Sequence, residues 1–402
     1  MSADVAVSLF WIVAVSVLAP LVAGSVPRRL VPDVVVLLVA GIVIGPYALD
    51  LAQAGPEIDM LKELGLGMLF LLAGYELDPA ELKGRGGRRA LVTWLCCLAT
   101  AFGVVFLLSR IAEVHAEVAV AIALTSTALG TLLPILQDRG LVNTRLGRTV
   151  LNHGAFGELG PVIAMAVLLG AHGAGAEVLV LLLFVVLAAV VAAVPRRILR
   201  EGSHALTVVR LGADSNSQTT VRLTLLLLVS LIALAAVFDL DIILGAFAAG
   251  FILRRFMPAG DEKLETKLNG LAYGLLIPVF FVVSGMNIDI AGVVSRPGVL
   301  VVFIALMLLC RGLPVLIATR WERDGGYGVF DIRERTQVAL YSATGLPLIV
   351  AVTTVAVQAG DMSTGNASVL VAAGAITVLV FPAAALLLGR GEVEEPLPAP
   401  HP

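Results

Sequence analysis

The sequence predicts an all-α integral membrane protein of about thirteen transmembrane helices, and three observations support this fold class. The chain has 402 residues, of which 59% are hydrophobic and 14% are charged, and its mean hydropathy is +0.99. Apolar segments long enough to cross a hydrocarbon core of about 30 Å recur from one end of the chain to the other. Basic residues also concentrate in alternate loops, as the positive-inside rule requires. A soluble globular domain is excluded by this composition.

The predicted spans follow one another closely, and the longest loop, about 196–220, separates the seventh span from the eighth. The first span is interpreted as a retained helix, because the residues before it lack the positive charge of a secretory signal. The second and ninth spans are short. The thirteen predicted spans are 5–26, 31–46, 58–76, 89–110, 117–137, 147–170, 177–195, 221–238, 241–256, 269–286, 298–319, 334–359 and 366–389.

The distribution of basic residues predicts the orientation of the chain in the membrane. With the N-terminus outside, most of the 27 Lys and Arg residues fall in cytoplasmic loops. Lys62, Arg110 and Arg296 fall outside, and Arg311 lies within a span. A wrong helix count would scramble this bias, so we predict an N-terminus outside and a cytoplasmic C-terminus. The tail 391–402 is expected to be too short to fold, so no regulatory domain is expected within this chain.

Two spans carry helix breakers at mid-depth. The fifth contains the stretch Thr125–Gly130 followed by Pro134, and the twelfth contains Ser342–Pro347. Discontinuous helices at matching positions in two halves of a transporter indicate its substrate site. Because the two spans are offset by seven in the order of spans, an odd number, the two broken helices run in opposite directions. We therefore predict two inverted six-helix repeats, spans 1–6 and 8–13, with two crossing discontinuous helices. Two merely kinked helices are the alternative interpretation.

Glu158 in the sixth span and Arg311 in the eleventh are the charged residues that the sequence places deepest in the membrane. A charge at the bilayer centre costs at least about 2.5–3.5 kcal/mol, so such residues usually mark an ion or proton pathway. A buried carboxylate takes a proton, coordinates a cation or pairs with an arginine. Competition between the first two on one group is the basis of cation/proton exchange. A static Glu–Arg bridge that only locks two helices together is the structural alternative.

The neighbourhood of Glu158 and the cysteines complete the candidate residues. Glycines 154, 157 and 160 give one side of the sixth helix a small surface that another helix can approach closely. His153 is interpreted as a packing residue rather than a proton relay. Cys96, Cys97 and Cys310 lack metal-ligand spacing and are expected to be inert packing residues. Enzyme motifs are missing, so we expect no enzymatic activity, no cofactor and no nucleic-acid partner.

Four motifs in order make the chain similar to a known family. They are Gly41–Pro46, Leu71–Pro79, the stretch from Ala123 to Arg148 with Leu133–Leu136 inside it, and Ile277–Met286. Each is moderately specific, but together they resemble monovalent cation:proton antiporters of the Kef/NapA-like branch over nearly the whole chain. The resemblance implies a homodimer in the lipid bilayer that works by an elevator-like motion. It also implies one antiporter domain over 1–390.

The resemblance further divides that domain. It implies scaffold and dimer helices at about 1–76 and 221–286, core helices at about 89–170 and 298–389, and a linker helix at 177–195. The branch usually carries two adjacent aspartates in the sixth helix, where this chain has Gly157 and Glu158. Arg311 stands where a lysine is usual, which is similar to electroneutral exchangers of the wider superfamily.

These observations predict secondary transport of Na⁺ or K⁺ against H⁺ across a bacterial plasma membrane. Glu158 is expected to bind either the proton or the monovalent cation. Oxygens and helix-end dipoles are expected from the two breaks, namely from Thr125, Ser126, Thr127, Thr344 and Gly345. Arg311 is expected to tune Glu158 or to compensate helix dipoles. A proton-coupled exporter of an organic solute and a non-transporting membrane scaffold or sensor are the alternatives.

Overall fold

The computed structural model describes residues 2–25, 31–77, 84–111, 114–169, 174–198, 218–256, 262–322 and 329–389. The tail 391–402, most of the loop 196–220, and Asp78 and Pro79 of the third-span motif lie outside the described residues. Within the described part, the chain forms helices and no strand. The helices of the first half are α1 Ala3–Ser25, α2 Asp33–Ile44, α3 Pro56–Glu76, α4 Arg85–Leu108, α5 Glu117–Ala123, α6 Leu129–Asp138, α7 Arg145–Leu168 and α8 Ala174–Ile198.

The described part of the second half contains ten further helices, two of which are preceded by a π-helical turn. They are α9 Thr219–Val237, α10 Ile242–Phe256, α11 Glu262–Leu271, α12 Ile277–Met286, α13 Ile290–Ser295, α14 Pro297–Met307, α15 Leu313–Ala318, α16 Ile332–Ser342, α17 Pro347–Gln358 and α18 Thr364–Leu388. The π turns are Ala272–Leu276, before α12, and Leu308–Gly312, before α15.

Eight helical segments in the described part of the chain are long and apolar enough to cross a membrane. They coincide with the predicted spans 1, 4, 6, 8, 10, 11, 12 and 13. The other predicted spans coincide with helices that are shorter, interrupted or more charged, or for which fewer residues are described. The structure therefore confirms an all-helical chain rich in membrane-length helices, whereas the count of thirteen crossings and the inverted repeat remain predictions.

Both predicted helix breaks are observed. The fifth span divides into α5 and α6, with residues 124–128 between them, and the twelfth divides into α16 and α17, with residues 343–346 between them. At these helix ends, side-chain hydroxyl groups donate hydrogen bonds to backbone carbonyls that have lost the N–H partner a continuing helix would provide. Thr125 and Ser126 donate to the carbonyls of Ile122 and Ala123, at 2.8 and 2.7 Å. Thr344 donates to the Tyr341 carbonyl at 2.7 Å. The second half-helix then begins at Pro347, which needs no hydrogen-bond acceptor for its nitrogen.

The two π turns have a local cause in the sequence. Pro278 and Pro314 each stand two residues after a π turn. Because proline has no N–H group, it cannot donate to the carbonyl four residues earlier, and its ring crowds that carbonyl. The helix widens by one residue before the proline, and such bulges are frequent at functional sites. The second of these turns contains Arg311.

The chain divides into two compact units. The first comprises Met1–Asp59, Ala80–Pro161 and Phe281–Pro402, and the second comprises Met60–Pro79 and Val162–Phe280. The candidate site residues all belong to the first unit. The predicted division into scaffold, linker and core helices remains a prediction.

Glycines of the sequence motifs bring helix backbones together inside each unit. In the first unit, a Cβ on Gly41 would collide with the Val282 carbonyl of α12, and one on Gly285 would collide with the Leu38 carbonyl of α2. In the second unit, Gly74 of α3 faces the Phe247 carbonyl of α10 in the same way. Close backbone contact through small residues is a common way to join helices in membranes.

Candidate ion-binding site

Glu158 lies on α7 with its carboxylate at the N-terminus of α6. The Oε1 atom accepts hydrogen bonds from the backbone N–H groups of Leu129, at 2.8 Å, and Gly130, at 3.3 Å. Amides in the first turn of a helix have no acceptor within that helix, and the helix dipole makes this end positive. The break in the fifth span thus supplies a place where a buried negative charge is stabilised by the backbone. Glu158 is 5% exposed.

Arg311 is fully buried and its guanidinium binds groups from four other segments of the chain. Its Nε atom donates to the Thr127 hydroxyl at 3.1 Å and to the Ser342 carbonyl at 3.3 Å. Its Nη2 atom donates to the His153 carbonyl at 2.5 Å, and Nη1 lies 3.6 Å from the Cys97 sulfur. Ser342 ends α16, so the positive charge rests on the negative end of that half-helix.

The two breaks contact each other directly beside Glu158. The Ala128 N–H donates to the Thr344 carbonyl at 2.7 Å, and the Thr127 hydroxyl donates to the Ser342 carbonyl at 2.6 Å. The Thr127 N–H also donates to the Gly157 carbonyl, at 2.9 Å. These bonds join the fifth, sixth and twelfth predicted spans at one point, and they satisfy backbone groups that the breaks release.

The residues predicted to supply oxygen ligands for a cation fall into two groups in the structure. Thr127 and the Thr344 carbonyl lie at the contact between the breaks. The hydroxyls of Thr125, Ser126 and Thr344 instead donate to carbonyls of their own half-helices, as described above. Their oxygen lone pairs remain able to accept, because a hydroxyl has one donor and two acceptor positions. The Gly345 N–H lies 3.4 Å from the Thr377 hydroxyl of α18, a residue that the sequence did not single out.

Glycines 154, 157 and 160 allow close approach to α7, as predicted. Gly154 faces the side chain of Leu129, and Gly160 faces that of Trp94. Gly157 faces the side chains of both Arg311 and Thr127. A Cβ on Gly157 would lie 2.5 Å from Arg311 Nη2 and would also collide with Thr127. The space of a side chain at position 157 is therefore occupied by the Arg311 guanidinium and Thr127.

The hydrogen bonds of Glu158 and Arg311 bear on the alternative of a static bridge. The bonds described above take the carboxylate to two amides of α6 and the guanidinium to carbonyls of α7 and α16. Each group therefore has backbone hydrogen-bonding partners of its own. The carboxylate lies at the N-terminal end of α6 and the guanidinium at the C-terminal end of α16, and compensation of a helix dipole by Arg311 stays a prediction.

Sequence reasoning missed several backbone groups in this arrangement. They are the amides of Leu129 and Gly130 and the carbonyls of His153 and Ser342. The position of a break was visible in the sequence, and the first amides after it could have been inferred as donors from that position alone. We recognise no signal in the sequence that the His153 carbonyl would accept a hydrogen bond from Arg311.

The chain belongs to the sodium/hydrogen exchanger transmembrane family, whose model matches residues 13–386. Its relatives include the glutathione-regulated potassium-efflux system protein KefC of Salmonella heidelberg, 29% identical over 369 residues, which are 88% of this chain and 56% of KefC. They also include the Na⁺/H⁺-K⁺ antiporter GerN of Bacillus cereus, 28% identical over 290 residues, which are 71% of this chain and 73% of GerN. These relatives confirm the cation:proton antiporter superfamily and its Kef-like branch.

A solved structure shows the same fold. The sodium proton antiporter MjNhaP1 from Methanocaldococcus jannaschii aligns with a TM-score of 0.64 and 18% identity, covering 96% of this chain and all of MjNhaP1. The chain spans only 58% of the length of another relative, YjbQ of Bacillus subtilis, to which it is 24% identical over 371 residues. The protein is an integral membrane protein of the sodium/hydrogen exchanger family.

Proposed function

We propose that the protein exchanges a monovalent cation, Na⁺ or K⁺, for H⁺ across a bacterial plasma membrane. The observation that carries this proposal is the carboxylate of Glu158, buried at the contact between two broken helices and held by the first amides of α6. The names of the relatives, a Na⁺/H⁺-K⁺ antiporter for GerN and a potassium-efflux system protein for KefC, support the same substrates.

Glu158 is the group on which the two ions compete. The negative charge of a buried carboxylate can be neutralised by a bound proton or balanced by a cation close to it. Oxygens of Thr127, Thr344 and the neighbouring break residues Thr125, Ser126 and Gly345 lie in the same region and are the proposed source of further ligands. Binding of one ion excludes the other from the carboxylate, so protons and cations move in opposite directions.

Arg311 acts in this proposal as a fixed positive charge rather than as a group that competes with the cargo. Its guanidinium is bound to the carbonyls of His153 and Ser342, and an arginine does not lose its proton in a protein. Glu158 is then the single acid of the site, and exchange is one cation for one proton. This stoichiometry is electroneutral, so a membrane potential imposed on proteoliposomes should leave the steady rate of exchange nearly unchanged. A rate that follows the imposed voltage would contradict it.

The larger motion is also part of the proposal. An elevator-like movement of a core formed by about 89–170 and 298–389, against a scaffold formed by about 1–76 and 221–286 in a homodimer, is supported by the likeness to the antiporter fold. The N-terminus is proposed to lie outside and the C-terminus in the cytoplasm, as the distribution of basic residues predicts.

A proteoliposome assay with a pH-sensitive dye tests the proposal. Li⁺, Na⁺, K⁺ and Rb⁺ are added in turn to vesicles with an acidic interior. We expect Na⁺ or K⁺ to drive proton release, with a half-maximal concentration that rises as the pH falls, because protons and cations compete for one carboxylate. Protein-containing vesicles that behave like empty vesicles with all four cations would contradict cation/proton exchange.

A further inference from the structure

The break in the twelfth predicted span rests against α18. A continuing α16 would take the Gly345 N–H to the Tyr341 carbonyl, which here accepts from the hydroxyl and the N–H of Thr344, at 2.7 and 3.3 Å. The Gly345 nitrogen instead lies 3.4 Å from the hydroxyl oxygen of Thr377. Thr377 is fully buried, and its hydroxyl donates to the Gly374 carbonyl at 2.7 Å. Thr377 therefore offers a lone pair to an amide whose helical acceptor is taken by other donors.

Gly374 brings the backbone of α18 against the same residue of the break. It lies three residues before Thr377, so the two residues share one face of α18. A Cβ on Gly374 would lie 2.7 Å from the Gly345 carbonyl oxygen and 3.5 Å from the Cα atom of Leu346. A larger side chain at this position would therefore force the break to move. Gly374 and Thr377 together contact the carbonyl and the amide of Gly345, and we name these two residues the α18 seat.

The break in the fifth span meets Gly345 from another side. A Cβ on Gly345 would lie 2.5 Å from Ser126 Oγ and 3.2 Å from Met307 Cε. The neighbouring Thr344 carbonyl accepts from the Ala128 N–H at 2.7 Å. Gly345 is thus held between the α18 seat and the first break. The position of the seat therefore decides how closely the oxygens of one break approach those of the other.

The two breaks are supported by helices of different character. The Thr127 N–H of the first break donates to the Gly157 carbonyl of α7 at 2.9 Å, and α7 also carries the charged Glu158. The second break is supported by α18, which is described over its whole length and contains no charged or histidine side chain. The α18 seat can therefore set distances at the proposed ion site without changing the charge of that site.

We propose that the α18 seat determines which monovalent cation the site prefers, by fixing the distance between the oxygens of the two breaks. The inference rests on the proposed cation/proton exchange and names the residues that give it specificity. Cations of equal charge differ in radius, and oxygen ligands held at fixed distances favour the cation that they fit. Gly374 and Thr377 are positioning residues, because they act through Gly345 and the Thr344 carbonyl and do not bind the ion themselves.

Gly374→Ala tests the proposal in proteoliposomes that are given Na⁺ or K⁺. The added methyl group would collide with the Gly345 carbonyl and push the second break towards Ser126, so the set of oxygens contracts around a smaller ion. We expect the half-maximal concentration of K⁺, divided by that of Na⁺, to rise about three- to tenfold. Gly365→Ala makes the same chemical change in the first turn of α18, where a Cβ meets only Arg296 Nη1, at 3.9 Å. This control should keep the ratio of the unmodified protein.

Thr377→Val tests the hydroxyl of the seat. Valine keeps the shape of the side chain but offers no lone pair to the Gly345 N–H, so the second break is held less firmly. We expect the half-maximal concentrations of both cations to rise about three- to tenfold, with a smaller change in the maximal rate. Thr377→Ser restores the hydroxyl and should restore both concentrations. Thr353→Val, which removes a hydroxyl that bonds within α17, should follow the unmodified protein.

The outcomes separate this inference from the proposed function. An unmodified protein that exchanges cations, with Gly374→Ala and Thr377→Val variants that keep its half-maximal concentrations and their ratio, overturns the α18 seat and leaves the exchange intact. Variants that lower only the maximal rate, by one factor for both cations, also overturn it, because a purely structural role would have this effect. If Gly374→Ala does not fold, the Val and Ser variants of Thr377 decide. An unmodified protein that exchanges no cation overturns the proposed function, and the seat with it.

Discussion

Two pairs of ionisable residues lie on α7 and on the segment from Leu308 to Glu322, and they are held in different ways. Glu158 and Arg311 are bound by backbone groups: the carboxylate by amides at the start of α6, the guanidinium by carbonyls of α7 and α16. His153 and Glu322 instead face each other through their side chains, at 3.6 Å. The first pair uses helix ends as partners, and the second pair brings two side chains together.

This difference shows which electrostatic field at the proposed ion site is permanent. Backbone dipoles do not titrate, so the amides of α6 and the carbonyl of Ser342 keep the same sign at every pH. The backbone-bound pair is suited to holding the proposed ion site in shape.

The largest expected effect comes from Glu158→Gln. The amide side chain keeps nearly the same shape but can neither bind a proton reversibly nor present a negative charge to a cation. We expect cation-driven proton release to fall to that of empty vesicles, while the protein still elutes as a folded species in size-exclusion chromatography. Glu57→Gln, exposed in the first turn of α3, is the control and should keep full exchange. Residual exchange in Glu158→Gln would show that another group carries the proton.

Arg311→Lys separates the charge from the geometry of the guanidinium. A lysine retains the positive charge but cannot reach the Thr127, His153 and Ser342 acceptors together, because its three donors radiate from one atom. Losing charge-assisted bonds in a buried site should cost about 2–4 kcal/mol of unfolding free energy and reduce exchange. Thermal unfolding in detergent measures the first effect. Arg88→Lys, at an exposed position of α4, should leave both quantities unchanged.

Gly157→Ala tests whether Arg311 needs the space beside α7. The added methyl group would meet Arg311 Nη2 and Thr127, so one of them must move. Overpacking of this kind costs about 1–3 kcal/mol, and we expect a matching loss of thermal stability. Gly130→Ala makes the same chemical change on α6, where a Cβ meets no heavy atom within 4 Å. Equal stability losses in the two variants would argue against a specific conflict at Gly157.

The smallest expected effect is that of Thr127→Val. The variant keeps the side-chain volume but removes the hydroxyl that accepts from Arg311 and donates to the Ser342 carbonyl. A lost buried partner costs about 1–3 kcal/mol, and the charged Arg311 retains its other acceptors, so we expect about 1 kcal/mol. Thr353→Val, at a buried position of α17 whose hydroxyl bonds only within its own helix, should cost less. The difference in unfolding temperature between the two variants measures how much the hydroxyl of Thr127 contributes to stability at the contact between the breaks.

Much of the fold could be predicted because its signals are local. The apolar length of each span, the breakers near Thr127 and Thr344, and the glycines of α7 act through the backbone of their own segment. The structure confirms both breaks and the close approach at Gly157. The π turn at Leu308–Gly312 was missed, although Pro314 in the same span is a local cause that could have indicated it.

The sequence by itself determined that this chain is a helical membrane protein with two interrupted helices and a buried Glu and Arg, because hydrophobicity and helix-breaking residues act over a few residues. Tertiary structure alone decided the partners of those charges. The acceptors of Arg311 lie 31, 158 and 184 residues away along the chain. Such contacts depend on how helices meet in space, and the encounter of His153 with Glu322 is of the same kind.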